Sequence, residues 1–395
     1  MYKRQRLAVV VSHPTQHFVP LYAELASLGG VDLKVFYIGE NGVKSTFDAQ
    51  FGVNIEWDTP MLNGYSYEFV ESGKVLSDFG FWSVDSPLLV EKLNAFDADV
   101  LWVHGYAQRA NWRAVHSKKS NTKVLYTSDS NAWINSTKAN SWARRQLKSL
   151  IIRRFFSYID IALSISPANR QYLLDYGLDP NKIIDSSFPV DIERLSIEKE
   201  SLTDQELNDF RSNLSIARDA KVLLVVSKLI DRKRVQDAVE ALARLSDEKT
   251  HLLIVGSGEC HSDLQNKAVE LNVSNRVHFS GFVNQKSLSN YFAIADILVF
   301  PSENEPYGAV VSEVLPFGLP VVIASDIGAI GASAIEGENA MVFQVGDVAD
   351  LTRQLERLLA NDDVLQVYSA KSLSMAKEHD KRVMAMDIVD ICRAL

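Results

Sequence analysis

The chain has 395 residues, 47% of them hydrophobic, and a net charge of −9. That length fills two hydrophobic cores, and the acidic balance excludes a general nucleic-acid binder, which needs a basic footprint. Two cysteines, Cys260 and Cys392, with no Cys-x-x-Cys, suit a reducing compartment and offer neither a zinc site nor a disulfide framework.

The N-terminus runs straight into an apolar strand, Leu7-Ala-Val-Val-Val-Ser12, too short for the hydrophobic region of a signal peptide. Nowhere does an apolar run approach the roughly 18 residues of a membrane span, so the expected location is the cytoplasm. Continuous β-branched runs predict strands at 7–12, 32–38, 100–104, 123–127, 161–165 and 183–187. Helical patterns at 18–28, 86–95 and 139–156 lie between them. The second half repeats the alternation, with strands at 221–227, 251–255, 277–281, 297–301, 320–324 and 340–344 and helices at 233–245, 260–271 and 286–294. Such alternation means doubly wound βαβ units. The polar, charge-dense stretch from Ile197 to Ser215 breaks it. The expected fold is α/β: two Rossmann-like doubly wound parallel-sheet domains, 1–197 and 215–379, facing a cleft.

In the first half, candidate site residues cluster at the carboxyl ends of strands, where open α/β sheets bind ligands. The loop Ser12-His13-Pro14-Thr15-Gln16-His17-Phe18 is polar and rich in histidine, and His13, Gln16 and His17 are candidates for substrate contact. A loop-anchoring hydrogen bond is an equal reading for the histidines. His104 and Asp129 end two further strands. Asp97-Ala-Asp99 looks like a metal-binding pair but precedes its strand and so points away from the ligand end; no metal site is expected. From Asn131 to Ile159 there is no acidic residue, while Lys138, Arg144, Arg145, Lys148, Arg153 and Arg154 interleave with Trp142, Leu147, Leu150, Ile151, Phe155 and Phe156. That composition fits a helix lying on anionic lipid, and equally a solvated basic face over a buried stripe.

In the second half, Lys228 and Lys233 flank a turn after a buried strand and could clamp a diphosphate; exposed lysines at a helix start are the plain alternative. Gly256 and Gly258 end the next strand as a Gly-x-Gly without a third glycine, a tight turn more than a fingerprint, with Gly256 kept as a candidate for substrate contact. The backbone at Phe282 and Val283 could hydrogen-bond a base. Then comes Glu305-Pro-Tyr-Gly-Ala-Val-Val-Ser-Glu313. Within one helix its two carboxylates would stand about 80° apart. With Glu305 in the loop and Glu313 in the second helical turn, both could meet sugar and ribose hydroxyls. The N–H groups of Tyr307, Gly308 and Ala309 would suit phosphate. Two acids favoured by a helix dipole are the alternative reading.

In this order the pieces resemble glycosyltransferase family 4, a large retaining group with the GT-B fold. The resemblance covers roughly 215–360 and rests on Ala295-Asp296, Pro301-Ser302, the paired Glu305 and Glu313, Gly318-x-Pro320 and Gly346-Asp347. It implies that Glu305 contacts the donor sugar, Glu313 the ribose, and Lys228 and Lys233 the diphosphate. At position 228 the family usually has Arg, and Lys trades bidentate geometry for a point charge. Pro316, where the family prefers small residues, removes a hydrogen bond and should end the helix early. Many relatives carry a sugar-touching His where this chain has Ser128-Asp129-Ser130, so Asp129 is the substitute. By fold analogy the final helix, 380–395, crosses back onto the first domain.

The implied function is a retaining, metal-independent hexosyltransferase without a cofactor. Its donor would be a UDP- or GDP-linked sugar, and its acceptor a hydroxyl of a glycan or lipid-linked glycan in cell-surface polysaccharide or glycolipid synthesis. Lys228, Lys233, Glu305 and Asp129 are the expected catalytic set. A GT-B epimerase or phosphorylase, and a non-catalytic sugar-nucleotide or glycan-binding subunit, are the alternatives. A glycosidase reading of the paired carboxylates leaves the lysines and both Rossmann halves unexplained.

Overall fold

Val-rich and Leu-rich runs become buried parallel strands, and short polar stretches become the helix caps between them. In this computed structural model residues 4–43, 45–48, 51–131 and 142–395 are described, and all counts refer to these. The chain divides into two compact units. Met1–Thr46, Thr59–Val190 and Asp380–Leu395 form the first; Phe47–Asp58 and Asp191–His379 form the second.

The first unit contains β1 (Gln5–Val11), α1 (Phe18–Leu28) and β2 (Val31–Tyr37). Strands β3 (Thr46–Asp48) and β4 (Val53–Ile55) pair as a separate two-stranded sheet at the excursion 47–58. There follow β5 (Tyr67–Phe69), α2 (Leu89–Phe96), β6 (Val100–His104), α3 (Arg109–Ser117), β7 (Lys123–Thr127), α4 (Trp142–Phe156), β8 (Ile161–Ser164), α5 (Pro167–Asp175) and β9 (Ile183–Asp185). The sheet order is β5-β2-β1-β6-β7-β8-β9, parallel at every pairing. Order reverses between β2-β1 and β6-β7, so the switch point lies between β1 and β6.

The second unit opens with α6 (Ile192–Ser201) and α7 (Asp204–Asn213). The polar stretch expected to separate the domains is therefore helical, and the division falls at 190/191 instead of within 197–215. Its charge density has a local cause: Thr203 and Glu206 form a capping box that satisfies the first amides of α7. Next come β10 (Lys221–Val226), α8 (Val235–Arg244), β11 (Thr250–Val255), α9 (His261–Glu270), β12 (Val277–Gly281), α10 (Gln285–Ile294) and β13 (Ile297–Phe300). Then follow α11 (Ala309–Glu313), β14 (Val321–Ala324), β15 (Ala340–Phe343), α12 (Val348–Leu359) and α13 (Asp362–Met375). The sheet order, β12-β11-β10-β13-β14-β15, again reverses beside its first strand, between β10 and β13. The last helix, α14 (Lys381–Ala394), belongs to the first unit and packs on α1.

An aspartate just before a strand sets the register at both switch points. The Arg6 amide donates to the Asp99 carboxylate at 2.9 Å, and the Asp99 amide returns a bond to the Arg6 carbonyl at 2.9 Å. Val222 and Asp296 exchange the same pair at 2.8 and 2.9 Å. Asp160 repeats the clip on Val124. Asp97 completes the picture with an ion pair to Arg6 at 2.6 Å. The Ala-Asp pairs are thus strand-start clips, and they pin which residues reach the ligand end of each sheet.

Candidate functional site

The second unit concentrates its charge at its switch point. Lys228 follows β10 directly, and its ammonium donates to both oxygens of Asp48, at 2.9 and 3.2 Å. It also lies 4.6 Å from the centre of the Phe51 ring. Lys233 closes the turn Asp231–Lys233, and its ammonium donates to Glu305 Oε2 at 2.5 Å. Arg232 donates to the same oxygen at 2.8 Å. Glu305 sits in the loop after β13, as its sequence predicted, with its side chain 13% exposed beside an 11% exposed Lys233. Burial pushes the Lys233 ammonium below its ordinary value, and the Glu305 charge opposes that push. Both lysines expected on a diphosphate are thus seated on carboxylates.

Glycine geometry lets these loops approach. A Cβ on Gly256, whose φ is +142°, would stand 1.8 Å from the Ser227 carbonyl oxygen, so no other residue fits where the β11 loop crosses the β10 loop. The Gly256 amide, in a residue singled out in sequence, donates to the Gly281 carbonyl at 2.8 Å. Phe282 and Val283 follow β12, and the Phe282 ring meets Phe51 edge-on at 5.1 Å. Ser227 and Ser302, beyond the ends of β10 and β13, have buried hydroxyls with no hydrogen-bond partner among the described residues.

Beyond Glu305 the chain turns inward. Tyr307 is buried, its hydroxyl 3.0 Å from Ser312 Oγ and donating to Ser333 Oγ at 3.3 Å, so its side chain serves the core and not a substrate. Gly308 takes φ +94° ahead of Ala309, the first residue of α11. The helix ends at Glu313, and Pro316 sits in the separate turn Leu315–Phe317, the early stop its ring imposes. Glu313 therefore closes a five-residue helix and is only 7% exposed. Burial raises its carboxyl to about 7, against the opposing charge of Arg194.

The first unit carries a cavity of about 390 Å³ at its own switch point. Of the residues singled out in sequence, His13, His17, His104 and Asp129 line it together; Gln16 does not. Ser12 Oγ lies 2.9 Å from His13 Nδ1, and the Tyr22 hydroxyl lies 3.3 Å from His104 Nε2. Burial pushes His13 down to about 4 and His104 to about 3, so both rings are neutral at physiological pH. Phe18 stands edge-on to His104 at 4.5 Å, and Phe188 contacts His17 at 5.5 Å.

Sequence reasoning missed Asp48, Phe51, Arg232, Phe18, Phe188 and Gln108. Arg232 and Phe18 adjoin residues that were named, and Gln108 follows the β6 loop. The three-residue strands β3 and β4 leave no periodic signal for Asp48 or Phe51.

The family described as Glycosyl transferases group 1 matches residues 207–375, within the second unit. Lipopolysaccharide core biosynthesis glycosyltransferase LpsE of Rhizobium meliloti (strain 1021) is 31% identical over 154 residues, 39% of this chain and 44% of that protein. Alpha-monoglucosyldiacylglycerol synthase of Streptococcus pneumoniae is 27% identical over 181 residues, 45% of this chain and 40% of that protein. The chain thus spans less than half the length of these curated relatives. Among solved structures, Anabaena HepE in complex with UDP superposes with a TM-score of 0.73 at 16% identity, covering 99% of this chain and 100% of that one. The two all-parallel Rossmann-like units thus share the GT-B fold of such neighbours, and the group 1 match is confined to the second unit.

Proposed function

We propose that the chain is a retaining hexosyltransferase of glycosyltransferase family 4, acting without a metal on a nucleoside-diphosphate sugar. The observation that carries this reading is the meeting of Lys228, Lys233, Arg232 and Glu305 beside the β10/β13 switch point. The departing diphosphate draws the two ammonium groups away from Asp48 and Glu305, and they stabilise its developing charge. Glu305, so released, accepts hydroxyls of the donor sugar; Glu313 accepts those of the ribose. The acceptor proton passes to the leaving phosphate on the same face, which retains the anomeric configuration. UDP is the first donor nucleotide to test, because the HepE structure holds UDP. A lipopolysaccharide or glycolipid acceptor follows the activities named for LpsE and the diacylglycerol synthase.

Contact with an anionic membrane surface belongs to the same proposal. In α4, Ile152, Phe155 and Phe156 are buried, yet Trp142, Leu147, Leu150 and Ile151 are exposed beside the sequence's Arg145, Arg153 and Arg154. Lys138 lies outside the described residues. No helix among the described residues is long and apolar enough to cross a membrane.

Thermal stabilisation by a panel of nucleoside diphosphates and their sugars, on wild type and Glu313→Ala, tests the donor site. One base should raise the melting temperature, and less so in the variant. No shift with any of them would refute a donor site. Donor turnover with and without acceptor, in EDTA, separates transferase from epimerase, phosphorylase and binding subunit, and the product anomer reports retention.

A further inference from the structure

The loop that carries Glu305 is tied along its length to the loop after β14. Asn304 takes φ +53°, a left-handed conformation that is sparsely populated for residues with side chains and persists where the surroundings fix it. Its amide donates to Asp326 Oδ2 at 2.8 Å. Glu305 then pairs with Ile327 in a parallel bridge. The Gly328 amide donates to the Glu305 carbonyl at 3.1 Å, and the Ala329 amide to the Tyr307 carbonyl at 2.9 Å. The two loops run so close that a Cβ on Gly328 would stand 1.8 Å from the Pro306 carbonyl oxygen. Ahead of the turn, the Glu303 amide donates to the carbonyl of Arg232, whose side chain meets Glu305 together with Lys233.

Asp326 is half-buried, and its Oδ1 has no hydrogen-bond partner among the described residues. Burial lifts its carboxyl above the ordinary value, and the Asn304 amide opposes the lift. A carboxylate so placed costs the fold stability, so packing does not account for it, whereas the bond to Asn304 does. We propose that Asp326 is a positioning residue of the donor site: through the Asn304 amide it fixes the left-handed turn that sets Glu305 against the transferred sugar. Without that bond the turn relaxes, and the Glu305 carboxylate leaves the point where Lys233 and Arg232 converge on it. The proposal rests on the glycosyltransferase reading above and adds a residue that acts through Glu305.

Two measurements on the full chain test it, each on wild type, Asp326→Ala and Asp326→Asn. In hydrogen exchange read by mass spectrometry without nucleotide, residues 302–306 should exchange about tenfold faster in Asp326→Ala. They should stay near wild type in Asp326→Asn, whose side-chain oxygen still accepts the bond. Steady-state release of nucleoside diphosphate is then followed from UDP-glucose, UDP-galactose and GDP-mannose. With the best of these donors, Asp326→Ala should lower kcat by about 10- to 100-fold, and Asp326→Asn should recover most of it. Calorimetric affinity for the matching nucleoside diphosphate, which carries no sugar, should stay within about twofold. In a Glu305→Gln background, Asp326→Ala should lower kcat by less than about twofold further, because both changes remove one function. Asp326→Leu removes the acceptor without opening a cavity and stands in if Asp326→Ala does not fold. Unchanged exchange over 302–306, equal losses in the Ala and Asn variants, nucleotide affinity that falls with kcat, or additive losses with Glu305→Gln would each overturn the inference. Wild type that releases nucleotide from none of the donors would instead strike the glycosyltransferase reading, and the sugar role of Glu305 with it, whatever the exchange shows.

Discussion

Replacing Glu313 with Gln should change how stability depends on pH, in a direction set by the buried carboxyl. Its folded value near 7 against an ordinary 4.5 corresponds to about 3 kcal/mol of preference for the protonated form. The folded chain holds this proton more tightly than the unfolded chain. Between pH 4.5 and about 7 the folded state therefore carries more protons, and its stability falls as pH rises through that window. From pH 5 to pH 8 wild type should lose about 2.5 kcal/mol relative to Glu313→Gln, whose amide keeps the shape and does not titrate. Urea unfolding of both proteins at pH 5, 6, 7 and 8 measures the difference, in which other titrating groups largely cancel. The ribose role adds a second limb. If the ionised carboxylate receives the nucleotide, UDP affinity should rise about tenfold from pH 6 to pH 8 in wild type beyond any change in the variant. Parallel stability curves would refute the burial argument; a pH-dependent stability with parallel binding curves would refute the ribose contact alone.

Four further perturbations probe separate parts of the molecule. On the proposed reaction, in which Lys233 steadies the leaving diphosphate, Lys233→Met should lower kcat/KM by about 100-fold or more, with steady-state kinetics as the check. Asp48→Asn should tighten UDP binding several-fold by calorimetry, because a carboxylate no longer competes for the Lys228 ammonium. Gly256→Ala should cost about 2–4 kcal/mol in a melting or urea experiment, since its methyl would enter the Ser227 carbonyl. Changing Arg144, Arg145, Arg153 and Arg154 together to Gln should abolish pelleting with anionic vesicles; undiminished pelleting would remove the membrane surface from the proposal.

Sequence reading found the sheets because parallel strands covered on both faces are continuous apolar runs, and twelve such runs, from 7–12 to 340–344, became strands. It missed β3, β4 and β5, three residues each, where no period can register. Position along the chain also located Glu305, Lys228 and Lys233, since residues just after a parallel strand reach the ligand end by geometry alone. What neighbours them was hidden. Asp48 lies 180 residues from Lys228, and Lys233 is 72 from Glu305, so their pairing is a product of topology. The polar run at 198–206 misled because a capping box and a linker draw on the same residue types.

Apart from the extra edge strand β9 of the first, the two sheets share a strand order, a register clip and a reversal, and yet the loops above their switch points differ in electrostatic character. At the second, each lysine is held against a carboxylate, Lys228 on Asp48 and Lys233 on Glu305, so its charge is offset within the unit. At the first, burial has already stripped His13 and His104 of charge, and no lysine or arginine among the described lining replaces it. An ion-paired site selects a multiply charged ligand such as a diphosphate, because a singly charged one gains little over the resident carboxylates.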